Sequence, residues 1–202
     1  MRRKVLDLLM SAGGVVAALI LVAAGALAMW GYSFTNSNVH DQLAHQEIVF
    51  PAAAAFAHPK AGTEITPSMI PSVSQYAGQQ LLTGQQAKVY ANDFIAVHLS
   101  EMPYRGVYSK ISAAALAHPD NTQLKALEQT SFQGTTLRGL LLEAYAFSVF
   151  GAIAFWAGIA CFIAAALMLA LVGFGFWHAH RTPEEAEVLV HHASTGGVAA
   201  GG

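Results

Sequence analysis

The stretch TLRGLLLEAYAFSVFG, residues 136–151, opens the most apolar part of the chain and decides the fold. It carries two charges, Arg138 and Glu143, and no charged residue follows from Ala144 to Trp177. As one helix, residues 144–177 would be roughly 50 Å long at 1.5 Å per residue. The hydrocarbon core of a bilayer is only about 30 Å thick, and tilt absorbs only part of the excess. The run is therefore too long to be a membrane span alone.

The inner end of this run fixes where the bilayer would lie. His178, His180 and Arg181 follow Trp177, so we place the cytoplasmic interface there. Counting back about 20 residues puts the outer boundary near residues 152–156. Residues 137–151 then stand outside the lipid. Because a helix that is apolar on all sides must be covered, we expect the preceding segment of about a hundred residues to cover it.

A first apolar run extends from Val5 to about Tyr32 and is long enough to cross a bilayer. Arg2, Arg3 and Lys4 precede it, which places the N-terminus in the cytoplasm. The alternative is a signal peptide cleaved after the small-residue pattern at 26–28. We favour an uncleaved anchor, because the apolar run is longer than the 7–15 residues typical of signal peptides.

Composition agrees with a membrane protein. The chain of 202 residues is 54% hydrophobic and 11% charged, whereas soluble domains carry about 25% charged residues. The net charge of -2 gives no basic excess for nucleic acid. The single cysteine, Cys161, cannot form an internal disulfide and so says nothing about compartment.

The segment between the spans contains helical patterns. Thr83 can cap a helix that runs to Glu101 and ends before Pro103. Residues 109–117 form a short Ala-rich helix, and residues 123–136 lack a breaker except Gly134 and are expected to merge with the second apolar run. Residues 47–50 and 64–70 are predicted to be extended pieces or loops, with short strands possible.

The sequence therefore predicts a mainly α-helical protein of the cell membrane, with an extracytoplasmic helical domain inserted between two transmembrane helices. The second span is predicted to continue outward as a long helix, and both termini are predicted to be cytoplasmic. The predicted segments are a cytoplasmic N-terminus (1–11), the first transmembrane helix (12–32), the extracytoplasmic domain (33–136), the long helix that includes the second transmembrane helix (137–177) and a cytoplasmic tail (178–202).

Several stretches resemble a family of small actinobacterial membrane proteins. They are Trp30-Gly31, VHDQL at 39–43, Glu47-Ile48, QQAKVYANDFIAVHLSEM at 85–102, GVYSKIS at 106–112 and TSFQGTTLRGLLLEAYAFSVFG at 130–151. The resemblance covers roughly residues 12–170 and leaves out the tail from His178. It implies two spans, an extracytoplasmic domain and an unassigned function. Some members carry the label "aromatic ring-opening dioxygenase".

That label can be compared with the residues present. A ring-opening dioxygenase needs non-haem iron, usually held by two His and one carboxylate. His98 and Glu101 stand three residues apart on one predicted helix and could reach one ion. Further candidates in the same compartment are His40, His45, His58 and His118. We favour the interpretation that His98 is a hydrogen-bonded core residue, so the sequence does not support the label.

The second histidine group lies beyond the second span. His178 and His180, with His191-His192, flank a capped segment at 182–185 and could bind Zn or Ni. No thiolate or clear carboxylate set completes four ligands. We favour a juxtamembrane segment followed by a short amphipathic helix over residues 183–192.

No catalytic residue or cofactor is predicted. The chain has no Gly-rich phosphate loop and no G-x-S-x-G elbow, and neither predicted span core holds an ionisable residue of the kind that marks ion paths. The leading hypothesis is a non-enzymatic accessory or scaffold protein whose partners are the bilayer and a larger membrane assembly or further copies of itself. The alternatives are a metal-dependent oxygenase and a binder of small ligands or lipids. A binding groove could be lined by Tyr90, Phe94, Tyr145 and Phe147.

Overall fold

Helices account for most of residues 3–181, which are the residues that the computed structural model describes. The α-helices are α1 (Arg3–His45), α2 (Ile70–Val73), α3 (Gly84–Val89), α4 (Ala96–Glu101), α5 (Tyr108–Ala117) and α6 (Thr122–Arg181). A π-helical segment, Tyr90–Ile95, joins α3 to α4. Short 3-10 helices lie at Ala53–Ala57, Pro67–Met69, Ser74–Tyr76 and Pro103–Gly106. Within the described residues there is no β-strand, so the prediction of a mainly α-helical protein is confirmed.

Two of these helices, α1 and α6, are long and apolar enough to cross a membrane, as the sequence predicts. The histidines at 191 and 192 and the predicted amphipathic helix at 183–192 lie outside the described residues. So does the rest of the predicted cytoplasmic tail beyond Arg181.

The chain divides into two units, each with its own internal contacts. One, the terminal unit, consists of Met1–Ala28 and Trp156–Gly202, and the other, the central unit, is Met29–Phe155. The central unit contains the segment that the sequence predicts to be an extracytoplasmic domain, together with the ends of α1 and α6 that adjoin it.

Small residues line the contact between the two helices of the terminal unit. The buried positions recur every seven residues: Ser11, Ala18 and Gly25 on α1, and Gly158, Ala165, Val172 and Ala179 on α6. A Cβ added at Gly14 would lie 2.5 Å from Cγ2 of Val172, so the Val172 side chain packs directly against the backbone of α1. A seven-residue repeat of buried positions is typical of helix pairs that wind around each other with a left-handed twist.

The core of the central unit draws on four parts of its sequence. The fully or nearly buried apolar side chains are Val39 and Leu43 of α1, Phe50, Ile65, Met69, Val73 and Leu81 of the following segment, Ala87, Val89, Ala91 and Ile95 of the α3–π run, and Leu141 of α6. One face of the part of α6 that the sequence predicts to need cover, around Leu141, is thus packed against residues that precede it. The expected cover on all sides is not found, because Leu140, Phe147 and Phe150 remain exposed.

Local signals explain the helix starts. Thr83 forms a capping box with Gln86: the Gln86 N–H donates to Thr83 Oγ1 at 3.2 Å, and Gln86 Oε1 accepts from the Thr83 N–H at 3.0 Å. From there the helical run continues to Glu101, as predicted. Asn121 Oδ1 accepts from the N–H groups of Gln123 and Leu124 and caps α6.

Two features differ from the sequence-based expectation, the length of α1 and the structure of residues 64–70, whereas residues 48–50 are extended as predicted. Helix α1 continues to His45, although the sequence predicts the first transmembrane helix to end at residue 32 and predicts no helix for residues 33–45. Residues 48–50 are extended and pair antiparallel with residues 79–81, where the Phe50 N–H donates to the Gln79 carbonyl at 2.9 Å and the Leu81 N–H to the Ile48 carbonyl at 2.8 Å. This pairing is an isolated bridge and not a strand. Residues 64–70, the other possible strand, contain helical turns instead.

Candidate functional site

Polar side chains tie the π-helical segment and α3 to α6 within the central unit. Arg138 donates from Nη2 to Oδ1 of Asn92 at 2.8 Å. Nearby, the Lys88 ammonium lies 4.8 Å from the centre of the Tyr145 ring and 3.5 Å from its hydroxyl oxygen. One charge at the head of the apolar run, that of Arg138, therefore has a partner supplied by the covering segment.

The π-helical segment belongs to a row of rings that contact one another in tilted and edge-to-face arrangements. Phe50 contacts Tyr90 with ring centres 5.2 Å apart, Tyr90 contacts Phe94 at 4.7 Å, and Phe94 contacts His98 at 4.6 Å. Burial raises the pKa of the Tyr90 phenol above its ordinary value of 10.0, and the Glu64 carboxylate raises it further. Tyr90 and Phe94, two of the residues considered for a binding groove, are thus part of the packed interior.

The predicted metal candidates in the central unit are placed as follows. His98 Nδ1 lies 2.9 Å from the carbonyl oxygen of Phe94 on the same helix, and its ring packs edge-on against Phe94. Glu101 is exposed at the end of α4. In residues 3–181 no group of three or more His, Cys, Asp or Glu side chains could hold a metal ion. His98 and Glu101 thus have no third ligand there, and they do not fit the iron site that the family label implies.

The remaining histidines are dispersed. His40 Nδ1 lies 3.2 Å from a carboxylate oxygen of Asp41, and His45 Nδ1 lies 2.6 Å from the Asp41 carbonyl. In the terminal unit, His178 Nε2 lies 3.9 Å from Oδ2 of Asp7, and His180 is exposed near the end of α6. His178 and His180 belong to the terminal unit, whereas His40, His45 and His98 belong to the central unit.

An exposed aromatic group surrounds the turn between α4 and α5. We call it the aromatic turn cluster; its members are Tyr104, Arg105, Val107, Tyr108 and Phe132. The rings of Tyr108 and Phe132 lie 5.7 Å apart, and Tyr104 and Phe132 each keep half of their surface exposed. Polar residues of α6, Lys125, Glu128 and Gln129, border the same rings. The cluster thus presents apolar surface within polar surroundings, a pattern that marks binding surfaces.

The turn that carries this cluster is held in an uncommon conformation. Tyr104, Arg105 and Gly106 are consecutive left-handed residues with φ values of 56°, 56° and 65°. Ser131, which is fully buried, donates from Oγ to the Gly106 carbonyl at 2.8 Å. Left-handed non-glycine residues cost of order 1 kcal/mol each and persist only where the surroundings fix them. The arrangement therefore fixes Tyr104 and Arg105 on the surface.

A second concave feature of the central unit lies between α1 and α6. We call it the interhelical groove; it has a volume of about 470 Å³. It extends from Phe34 on α1 to Gln46 just past the end of that helix, and from Leu137 to Phe147 on α6. Val39, Leu43 and Leu141 form its buried floor. The exposed apolar side chains at its edges are Phe34, Leu140 and Phe147. Of the four residues considered for a groove, Phe147 alone is among those that line this one.

Polar groups form one wall of the groove. Asn38 and Gln42 on α1 and Gln46 just after its end follow one another at four-residue spacing, and the Gln42 amide donates to Asn38 Oδ1. Glu143 lies on the α6 side and is the charged residue among the described groove-lining side chains. No hydrogen bond or ion pair to Glu143 forms from any residue between 3 and 181. The groove thus combines an apolar floor with a row of amides and one carboxylate.

Sequence reasoning missed both the aromatic turn cluster and the interhelical groove. Phe132 is 24 positions from Tyr108 in the sequence, and the groove joins residues about a hundred positions apart, so neither appears as a local motif. One signal was present: Pro103 followed by Tyr104, Arg105 and Gly106 is typical of a turn.

Comparisons with known proteins add no assignment. No family model, curated protein or solved structure matches the chain.

Proposed function

We propose that the protein is a two-span protein of the cell membrane that acts as an accessory or scaffold protein and binds another membrane-bound protein through its central unit, outside the cytoplasm. Arg2, Arg3 and Lys4 before the first apolar run and Arg181 after the second support cytoplasmic termini. The excess length of residues 144–177 supports a second span that continues outward as a long helix. The resemblance to small actinobacterial two-span proteins agrees with this arrangement.

The aromatic turn cluster is the observation that carries the protein-binding function. Tyrosine and arginine are enriched among the residues that contribute most to protein interfaces. A rigid turn loses little conformational freedom on binding, which favours affinity. Arg105 forms no ion pair within the described part of the chain, so we expect the partner to supply a carboxylate beside an apolar surface that covers Tyr108 and Phe132.

Site-specific photo-crosslinking in intact cells tests this function. A benzophenone amino acid at position 108 should give one discrete protein adduct, whereas the same group at position 116 should not. Leu116 is a matched control because it lies on the same helix and is 79% exposed. An adduct with the mass of two copies would identify self-association as the form that the binding takes.

Two substitutions sharpen the test. Phe132→Gln should weaken the adduct by roughly thirtyfold, which corresponds to the loss of a residue worth about 2 kcal/mol at an interface. Arg105→Glu should abolish it if the partner supplies a carboxylate. Equal crosslinking at positions 108 and 116, or an adduct unaffected by either substitution, would contradict the proposal.

A further inference from the structure

We propose that the interhelical groove binds an aminolipid of the outer leaflet, with one acyl chain along its apolar floor and the ammonium group at Glu143. This inference rests on the proposed placement of the central unit outside the cytoplasm. It does not depend on the aromatic turn cluster, which consists of other residues.

The size of the groove favours a small ligand. Its volume of about 470 Å³ lies within the range of roughly 300–1,000 Å³ that is typical of small-molecule sites. The groove-lining residues 34–43 of α1 span about 14 Å at 1.5 Å per residue. An extended acyl chain can lie along a groove of this length.

The position of the groove along α1 and α6 would allow an acyl chain to enter it from the lipid. Phe34 is two residues beyond Tyr32, whose ring lies 5.0 Å from that of Phe155. The Phe34 ring also stacks on that of Trp30, with ring centres 5.7 Å apart. Aromatic rings of this kind are enriched where a bilayer meets water. Residues 152–156 form the outer boundary proposed for the second span, and Phe147 is about one and a half to two and a half turns before it. The groove therefore begins next to the proposed lipid boundary.

Charge decides which head group fits. Glu143 supplies a negative charge, and neither lysine nor arginine is among the described residues that line the groove. The amides of Asn38, Gln42 and Gln46 can donate hydrogen bonds to phosphate oxygens and accept them from an ammonium group. A lipid with an ammonium group and a phosphate therefore finds partners for both. An anionic lipid without an amine would meet the carboxylate with no compensating cation.

The test uses the full chain, purified and reconstituted into vesicles that contain phosphatidylethanolamine or phosphatidylglycerol, each with the same photoactivatable acyl chain. We expect the phosphatidylethanolamine probe to label peptides from residues 34–46 and 137–147 more strongly. Glu143→Gln should reduce this labelling by about fivefold, the ratio that corresponds to an exposed ion pair. Glu101→Gln, the same change at an exposed glutamate away from the groove, should leave it unchanged.

A second variant fills the groove. Leu140→Trp adds a larger ring at a position that is already 59% exposed, so it should fold, and it should reduce labelling by both probes. Thermal unfolding of each variant verifies folding. Equal labelling by the two lipids with no effect of Glu143→Gln would overturn the proposal, as would labelling confined to the apolar spans. Native mass spectrometry that shows a bound polypeptide in place of lipid would also overturn it.

The outcomes separate this inference from the protein-binding function. Failure of lipid labelling would leave the crosslinks from position 108 unaffected. Loss of those crosslinks in Phe132→Gln would in turn leave lipid labelling unaffected.

Discussion

Arg138 donates a hydrogen bond of 2.8 Å to the side chain of Asn92, across 46 positions of the sequence. Both side chains are partly buried, and hydrogen bonds to charged groups contribute about 1.5–3 kcal/mol to stability. This contact explains why an arginine opens the most apolar stretch of the chain. Its guanidinium forms this hydrogen bond inside the central unit, where it joins the π-helical segment to α6.

The first prediction concerns this contact. Arg138→Ala should lower the free energy of unfolding by about 2 kcal/mol, because it removes a charged donor and leaves the Asn92 carbonyl oxygen without its partner. Thermal unfolding in detergent, followed by near-ultraviolet circular dichroism, measures the effect. Gln133→Ala, an exposed position on the same helix, should have little effect.

A double-mutant cycle isolates the pair. If Arg138 and Asn92 interact, the loss in Arg138→Ala and Asn92→Ala combined should be smaller than the sum of the two single losses, by about 1 kcal/mol. Strict additivity would show that the two side chains do not interact.

The second prediction concerns two glycines, one packed tightly against α6 and one within α6 that has open space beside it. A Cβ at Gly84 would overlap the Ser148 side chain and lie 3.2 Å from Cα of Tyr145, so Gly84→Ala should cost about 1–3 kcal/mol. Gly139 lies in α6 with nothing within 4 Å of an added Cβ. Gly139→Ala should therefore stabilise the protein by about 0.5–1 kcal/mol. Unfolding temperatures that shift in the same direction would contradict this packing.

The third prediction concerns stability at high pH. Burial, and then the Glu64 carboxylate, raise the pKa of Tyr90 in the folded protein. The folded state therefore keeps this proton at a pH where the unfolded chain has lost it. The resulting stabilisation is complete below about pH 10 and is lost as the pH rises through the folded-state pKa. Tyr90→Phe should reduce this loss of stability above pH 10, as measured by denaturant unfolding across the pH range.

The unchanged protein is the control for this titration. An identical slope in Tyr90→Phe and in the unchanged protein would show that Tyr90 is not the group responsible.

The helices that the sequence predicts well have strong local signals. Thr83 caps a run with buried residues at helical spacing, and Pro103 ends it. In contrast, residues 33–45 are rich in Ser and Asn, which are weak helix formers, and of their side chains Val39 and Leu43 are buried. Tertiary packing therefore supplies what local propensity does not, and the extension of α1 to His45 could not be predicted from its own residues.

Other features depend on the size of side chains or on distant contacts. In the terminal unit, apolar residues occupy both the buried and the exposed positions. The buried positions differ mainly in having smaller side chains, so a pattern of polar and apolar residues cannot reveal the seven-residue repeat that contains Ala18 and Gly25. The aromatic turn cluster and the interhelical groove require Phe132 and Leu141 to meet residues far away in the sequence. The candidate site thus emerged only from the folded chain.

The most direct test of the account asks whether position 143 lies outside the membrane. Glu143→Cys, in a chain whose Cys161 has been replaced by serine, is treated in intact cells with a thiol reagent that cannot cross the membrane. Gln133→Cys serves as an exposed reference on the same helix, and the unchanged chain, with Cys161 in the predicted span, as the protected one. We expect position 143 to be labelled from outside as readily as position 133, and Cys161 not to be labelled. Protection of position 143 until detergent is added, or labelling only after the cells are broken, would contradict it.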